Sequence, residues 1–403
     1  MTDIYWDETI ETMPVEQLRQ LQLEKLKASV ARAANAPFYR DLGLKDYRIE
    51  SLDDLSKLPV TTKQDLRDSY PYRLVACPLD EVVRLHSSSG TTGTPTVVYH
   101  SKADIDNWTE LTARCMFTGG MGFHYAGEHL GCLTLPTGPG NTSRQLKFLK
   151  DFDVSVIHVI PSYALHLADT LEKMSIDPRK YLPKLRIAFL GAEPHTEETR
   201  QKIQDFFGIK AFNSFGLSEM NGPGVAFECP HQNGLHIWDE TLKPVPEGQQ
   251  GELVITTLNR TAMPLIRYRT KDLTHVVAGQ CSCGRTHRRI ARMQGRSDDM
   301  LILKGVNIFP MQIEQVLVGT PGVGRNYQII LEAKGHNDHM IVRVELDPAM
   351  FAGDLASLEK LKTKLTHALR DEILITPDVE LCEPGGIPVA EGKAVRVVDN
   401  RPR

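Results

Sequence analysis

The sequence predicts an α/β protein: a large N-terminal domain with parallel or mixed sheets and flanking helices, followed by a small C-terminal α+β domain. Three observations predict it. Between Val154 and Asn213 strand-like and helix-like runs alternate, the pattern of βαβ units on a parallel sheet. After Gly251 the texture turns β-rich, and the polar, hinge-like stretch Gly295-Arg296-Ser297-Asp298-Asp299 separates it from a last alternation of strands and helices. A chain of 403 residues also exceeds what one hydrophobic core usually supports.

The elements follow in chain order. Leu18, Leu21, Leu26 and Val30 recur at helical spacing and predict an amphipathic helix over 15–34. Leu58 to Leu66 reads as an extended lead-in, a threonine cap at Thr62 and a helix start. Short β-rich runs, 82–85 and 96–99, flank a loop of serines, threonines and glycines. Then come a strand over 154–159, a helix over 162–174, a strand over 185–190, a helix over 196–207 and a strand over 210–213. Ligands of such sheets sit outside the carboxyl ends of the strands. Gly191-Ala192-Glu193-Pro194 and Ser214-Phe215-Gly216-Leu217-Ser218-Glu219 fall there, as post-strand loops. Strands are predicted over 252–257 and 265–268, then a helix over 310–318, strands over 328–332 and 340–345, and a helix over 358–372.

Bulk properties exclude several function classes. The net charge of −4 makes no electrostatic case for nucleic acid or an anionic membrane. The acidic start, Thr2-Asp3-Ile4-Tyr5-Trp6-Asp7-Glu8, does not read as a signal peptide. No apolar run is long enough to cross a bilayer. Seven cysteines, an odd number in a chain this size, do not read as a disulfide framework. A reduced, cytoplasmic setting is the expectation.

Four features could carry chemistry. The loop Ser87 to Thr94 offers many backbone N–H groups and hydroxyls, and Gly90 and Gly93 permit close backbone approach to a phosphate. It lacks the Gly-Lys-Ser/Thr ending of a Walker loop, and a surface hairpin has the same composition. Glu219 could hold magnesium beside phosphate oxygens, or be a solvated loop glutamate. Asp272 could accept both hydroxyls of a ribose, or pair with the basic residues around it. Lys393, in Glu391-Gly392-Lys393-Ala394, could neutralise charge between a carboxylate nucleophile and a phosphate, or be terminal decoration. Separately, Cys229 and Cys281-Ser282-Cys283, with His231, His236 and His287 nearby, could form a tetrahedral zinc site, or remain reduced free cysteines.

In this order the segments resemble the adenylate-forming acyl-CoA synthetase superfamily, and within it the phenylacetate-CoA ligases. The likeness runs from about Leu58 to Arg403 and is closest in Pro264 to Asp272 and in Gly295 to Pro310. The resemblance implies an ATP-dependent ligase that activates an aromatic acid through an acyl-adenylate to its CoA thioester. Phenylacetate is the first substrate implied, with indoleacetate or a benzoate as alternatives. It implies that Ser88, Ser89, Gly90, Thr91, Thr92 and Gly93 hold the ATP phosphates, with Thr91 and Glu219 joining Lys393 as catalytic residues. Gly191, Ala192, Glu193 and Pro194 would line adenine, with Asn213, Ser214, Phe215 and Gly216 shaping the adenine and acyl pockets. Glu219 would hold magnesium, Asp272 the ribose, and Arg296 would reach the nucleotide. The domains become 1–297 and 298–403 with the hinge at Asp298; rotation there presents Gly305 to the CoA arm. Structural zinc would be held by Cys229, His236, Cys281 and Cys283, with His231 the rival. A small-molecule acid, ATP and CoA are the partners, and a homodimer is an open expectation.

One departure stands out. Cys115-Met116 runs directly into Phe117-Thr118-Gly119-Gly120, where the family carries a helix end and a strand first. That region normally supplies part of the aromatic pocket wall, so a catalytically silent nucleotide-binding relative is the alternative reading. Phe117 and the segment Gly119-Gly120-Met121-Gly122-Phe123-His124-Tyr125 would be what remains of the pocket.

Overall fold

The computed structural model describes residues 5–87, 95–113, 120–138, 141–220, 222–237, 240–242, 246–303, 306–334, 337–351, 354–388 and 395–401. The chain forms two compact units: residues 1–136, 188–192 and 212–293, and residues 137–187, 193–211 and 294–403.

In the first unit the helix Val15–Ala33 buries Leu18, Leu26, Val30 and Ala33, one apolar face at helical spacing. Ser29 Oγ donates to Thr257 O at 2.6 Å and Arg32 Nη1 to Arg260 O at 2.7 Å, which fixes the helix on a strand and its following loop. The helix Lys63–Asp68 starts on a capping box: Asp65 N donates to Thr62 Oγ1 at 3.2 Å, and Thr62 N to Asp65 Oδ2 at 2.8 Å. The strands Val82–Ser87 and Val97–Ser101 pair antiparallel and end on the Ser87–Val97 partners, which bracket the loop outside the described residues.

The main sheet of this unit runs Val276–Val277, Arg289–Ile290, Leu235–Ile237, Gly222–Glu228, Lys210–Leu217 and Ile187–Leu190 in order. The first four pairings are antiparallel. Lys210 N donates to Arg186 O, and four residues later Ser214 Oγ to Leu190 O. Both strands therefore advance together, as the βαβ pattern predicts. The expected loop 214–217 is instead strand, because Gly222–Glu228 continues the ladder past it, with a register shift between Phe215 and Gly216. A second sheet orders Glu240–Leu242, Gly251–Thr257 and Tyr268–Thr274, all antiparallel. The strand predicted from Leu265 starts instead at Tyr268. Arg267 takes φ +47°, a left-handed conformation that ends extended pairing, and its carbonyl accepts from Thr61 N at 3.2 Å.

His100 is fully buried on the hairpin, and neither ring nitrogen has a hydrogen-bond partner among the described residues. Its ring stacks on Trp108 at 6.0 Å and tilts against His86 at 4.7 Å. Burial, reinforced by the Arg260 charge, depresses its pKa to about 2. An unfolded chain takes a proton on this ring below about pH 6.5, and the folded one does not until about pH 2. Acidification below pH 6.5 should therefore cost about 1.4 kcal/mol of stability per pH unit from this residue alone. Urea melts at pH 7.0 and 5.5 test this: His100→Gln should be less acid-sensitive than the wild type, and equal losses would contradict the assignment.

In the second unit a sheet orders Asp378–Cys382, Asn337–Leu346, Val323–Lys334 and Val397–Asp399. The central pair is antiparallel and both outer strands join parallel. Ile329, Leu331, Val342 and Val344 from its strands meet Ile313 and Leu317 of the helix Pro310–Val318 and Leu365 and Leu369 of the helix Leu355–Ile373 in one core. Sequence reasoning missed both outer strands: Asp378–Cys382 does alternate polar and apolar residues, whereas Val397–Asp399 has only three residues. This unit also holds the helices Thr142–Asp151, Pro161–Lys173 and Glu197–Phe207 and the strand Val156–Val159. Among the described residues no helix is long and apolar enough to cross a membrane.

Candidate active site

Glu219 sits in the short 3-10 turn Ser218–Met220, directly after the strand Lys210–Leu217, and is buried. Lys63 Nζ lies 3.3 Å from its Oε1. Its backbone carbonyl accepts from Arg260 Nη1 at 2.6 Å, and Arg260 Nη2 also donates to Tyr99 O on the hairpin, at 3.1 Å. A fully buried guanidinium thus fixes the turn against the strand Val97–Ser101. The carboxylate already faces one cation, the arrangement from which a divalent ion and phosphate oxygens could be balanced. Sequence reasoning read Lys63 only as a helix start; its 156-residue separation from Glu219 leaves no local signal.

Further back on the same strand, Asn213 N donates to Glu228 Oε2 at 2.8 Å and Asn213 Nδ2 to Glu228 Oε1 at 2.7 Å. The amide is thereby oriented, and its Oδ1 is buried without a hydrogen-bond partner among the described residues. A buried acceptor left unmade costs about 1–3 kcal/mol, so the site is set to receive one donor, such as an exocyclic amine. Ser214 Oγ is engaged by Leu190 O at 3.2 Å, and Phe215 and Gly216 continue the strand half-buried. Gly191 is buried, and Ala192 takes φ +65°, a strained turn for a residue with a Cβ.

Glu193 uses its side chain locally. Ser162 N donates to its Oε2 at 3.1 Å and Ser162 Oγ to its Oε1 at 2.9 Å. The carboxylate caps the first turn of the helix Pro161–Lys173; Pro194 is exposed. Asp272 lies in a bulge of the strand Tyr268–Thr274, where the register shifts between Arg269 and Leu273 and Lys271 takes φ +71°. Its N–H donates to Thr270 Oγ1 at 3.0 Å; such bulges re-aim side chains. Arg296 and Asp298, expected in separate roles, form a bidentate pair at 2.9 and 3.1 Å. Lys393, Gly305 and the loop residues Ser88, Ser89, Gly90, Thr91, Thr92 and Gly93 lie outside the described residues, as do Phe117 and Gly119. The segment Gly120–His129 forms a helix, and Arg84 Nη2 donates to Tyr125 Oη at 2.7 Å.

Cys229, His236, Cys281 and Cys283 gather with all ligand atoms within 4.8 Å of one another, every residue buried. The Cys229 and Cys281 sulfurs are 3.6 Å apart, and Cys283 Sγ is 3.5 Å from His236 Nε2. Tetrahedral zinc with Zn–S of about 2.3 Å and Zn–N of about 2.0–2.1 Å has edges of about 3.8 and 3.6 Å, so the quartet fits that ion. A disulfide, near 2.05 Å, is excluded for this pair of sulfurs. Hydrogen bonding from Cys229, then from His236, holds the Cys283 thiol far below its usual range, as a ligand thiolate requires. His231 is exposed and outside the group. Sequence reasoning missed the strap over this knuckle. Tyr5 Oη donates to Cys283 O at 2.6 Å, and Glu11 and Arg285 form a buried ion pair at 2.7 Å.

The family described as AMP-binding enzyme matches residues 27–262, and the AMP-binding enzyme C-terminal domain matches 305–401. A phenylacetate-coenzyme A ligase of Aromatoleum evansii is 41% identical over 98% of this chain and 97% of its own length. One of Escherichia coli K12 is 40% identical over 97% of each. The chain belongs to the phenylacetate-CoA ligase family of AMP-binding enzymes. Among solved structures, a 2-hydroxyisobutyryl-CoA ligase in the postadenylation state superposes with a TM-score of 0.91 at 27% identity. It covers 99% of this chain and 93% of that one.

Against its phenylacetate-CoA ligase relatives this chain is short internally. The two alignments extend over 433 and 427 positions against its 403 residues, so at least 30 and 24 positions of the relatives have no counterpart here. The jump from Met116 to Phe117 is where the sequence places such a shortfall. At Gly222, φ +79°, a Cβ would come within 3.2 Å of the Trp108 indole, so a side chain there would strain the backbone and press on the ring.

Proposed function

We propose that this protein is an AMP-forming acid–thiol ligase that activates phenylacetate with ATP and transfers the acyl group to coenzyme A. The observation that carries the reading is near-full-length identity of about 40% to ligases named for that acid. The oriented Asn213 amide, with its spare buried acceptor, supports a nucleobase amine there, and the turn at Glu219 supports a phosphate-side role.

In this reading residues 1–297 bind the acid and ATP, and residues 298–403 move about Asp298. The substrate carboxylate oxygen attacks the α-phosphorus, pyrophosphate leaves, and Lys393 offsets the charge between the two anions. Magnesium, when bound, supplies further neutralisation of the phosphates, and Glu219 would hold it. Ser88 to Gly93 would cradle the phosphates, Asp272 the ribose hydroxyls, and Arg296 would leave Asp298 to reach the nucleotide. The CoA thiol, admitted past Gly305, then attacks the acyl carbon and AMP departs. Zinc in the four-ligand knuckle is structural in this account, since it leaves no open position for substrate. A reduced cytoplasmic setting, phenylacetate catabolism and homodimer assembly belong to the same proposal.

Pyrophosphate release tests it: release should require both ATP and phenylacetate, and AMP should then accumulate with CoA. A second reading, a nucleotide-binding relative without turnover, is favoured by the positions that the relatives have and this chain lacks. It would bind ATP and release nothing. Faster release with indoleacetate or a benzoate would move the acid assignment and keep the chemistry.

A further inference from the structure

Glu314 belongs to the segment matched by the C-terminal family and Thr199 to that matched by the AMP-binding family; both lie in the second compact unit. Thr199 Oγ1 donates to Glu314 Oε1 at 3.1 Å, and Tyr327 Oη to Glu314 Oε2 at 2.7 Å. Both glutamate and tyrosine are buried. From Tyr327 the chain of contacts continues to Arg396, whose guanidinium sits 4.3 Å from the tyrosine ring centroid and whose Nη1 donates to Tyr327 O at 3.3 Å. Arg396 O in turn accepts from Ile329 N at 2.7 Å. Arg396 is three residues after Lys393.

A buried carboxylate held by two neutral hydroxyls, with no cation bonded to it among the described residues, is a contact that can be exchanged for water. An ion pair there would resist opening. The Thr199 half of it bridges the two family segments, and the Tyr327 half lies wholly within the C-terminal one. Opening the first therefore leaves the second intact to organise the tail.

We infer that the Thr199–Glu314 hydrogen bond is a latch that holds the C-terminal segment against the helix Glu197–Phe207 and so favours adenylation, with Glu314 a positioning residue acting through Tyr327 and Arg396. This rests on the functional reading above. Losing one hydrogen bond to a charged acceptor shifts a two-state balance by roughly 10- to 100-fold. The latch therefore sets how the two half-reactions share the enzyme.

The test uses the full chain. In Thr199→Val, phenylacetyl-adenylate formation in a single turnover should fall about tenfold. The rate of thioester formation from supplied phenylacetyl-adenylate and CoA should hold or rise. Thr199→Ser should restore the wild-type ratio, and Glu314→Gln should move it the same way as Thr199→Val. Deuterium exchange across 310–318 should quicken in Thr199→Val with no substrate present. Equal loss in both half-reactions, or unchanged exchange in that helix, would overturn the latch. A wild type that never adenylates phenylacetate would count against the functional reading instead, and the exchange result alone would then decide the latch.

Discussion

Lys393→Ala is expected to slow acyl-adenylate formation by on the order of 100- to 1,000-fold, the scale for removing one preorganised group from a charge-developing transition state. Thioester formation from supplied acyl-adenylate should persist near the wild-type rate. The asymmetry follows from charge. The first step brings a carboxylate against a polyphosphate and needs a cation between them. In the second a neutral acyl carbon meets a thiol, and no such cation is required. Quenched-flow measurement of the two half-reactions checks it. Equal loss in both would mean that the lysine holds the fold, and no loss in either would remove it from the chemistry.

The second large effect is on stability. On the proposed zinc assignment, Cys283→Ala should abolish metal binding and lower Tm by on the order of 5–10 °C, since binding energy at a closed four-ligand site is folding energy. The knuckle ties the segment around Cys229 and His236 to that around Cys281 and Cys283. Through Tyr5 and the Glu11–Arg285 pair it also anchors the N-terminal strap. The loss should therefore spread to faster proteolysis of the first dozen residues. Elemental analysis with a thermal melt is the measurement. Metal-free wild-type protein, or a mutant that melts with the wild type, would contradict the site.

Much of this was legible in the sequence because it is local. The βαβ alternation of 154–213 is a periodicity, and the Thr62 cap and the cysteine pair at 281 and 283 are short-range patterns. The fourfold cluster could be proposed on residue type, but only packing separates His236, buried in the knuckle, from exposed His231. The strand through Ser214 to Leu217 was hidden because glycine and serine read as loop until a partner strand is known. Glu228 behind Asn213, Lys63 before Glu219 and Glu314 under Thr199 were invisible for one reason. Each is a side-chain pair joined across the fold, and two residues far apart in sequence carry no pattern between them.

Reaction with phenylacetate labelled in its carboxylate with oxygen-18 tests the central claim most directly. If the carboxylate oxygen attacks the α-phosphorus and the thiol later cleaves the acyl–oxygen bond, mass spectrometry should find one label in AMP for each phenylacetyl-CoA formed. Unlabelled AMP, or label in released phosphate, would contradict the acyl-adenylate route.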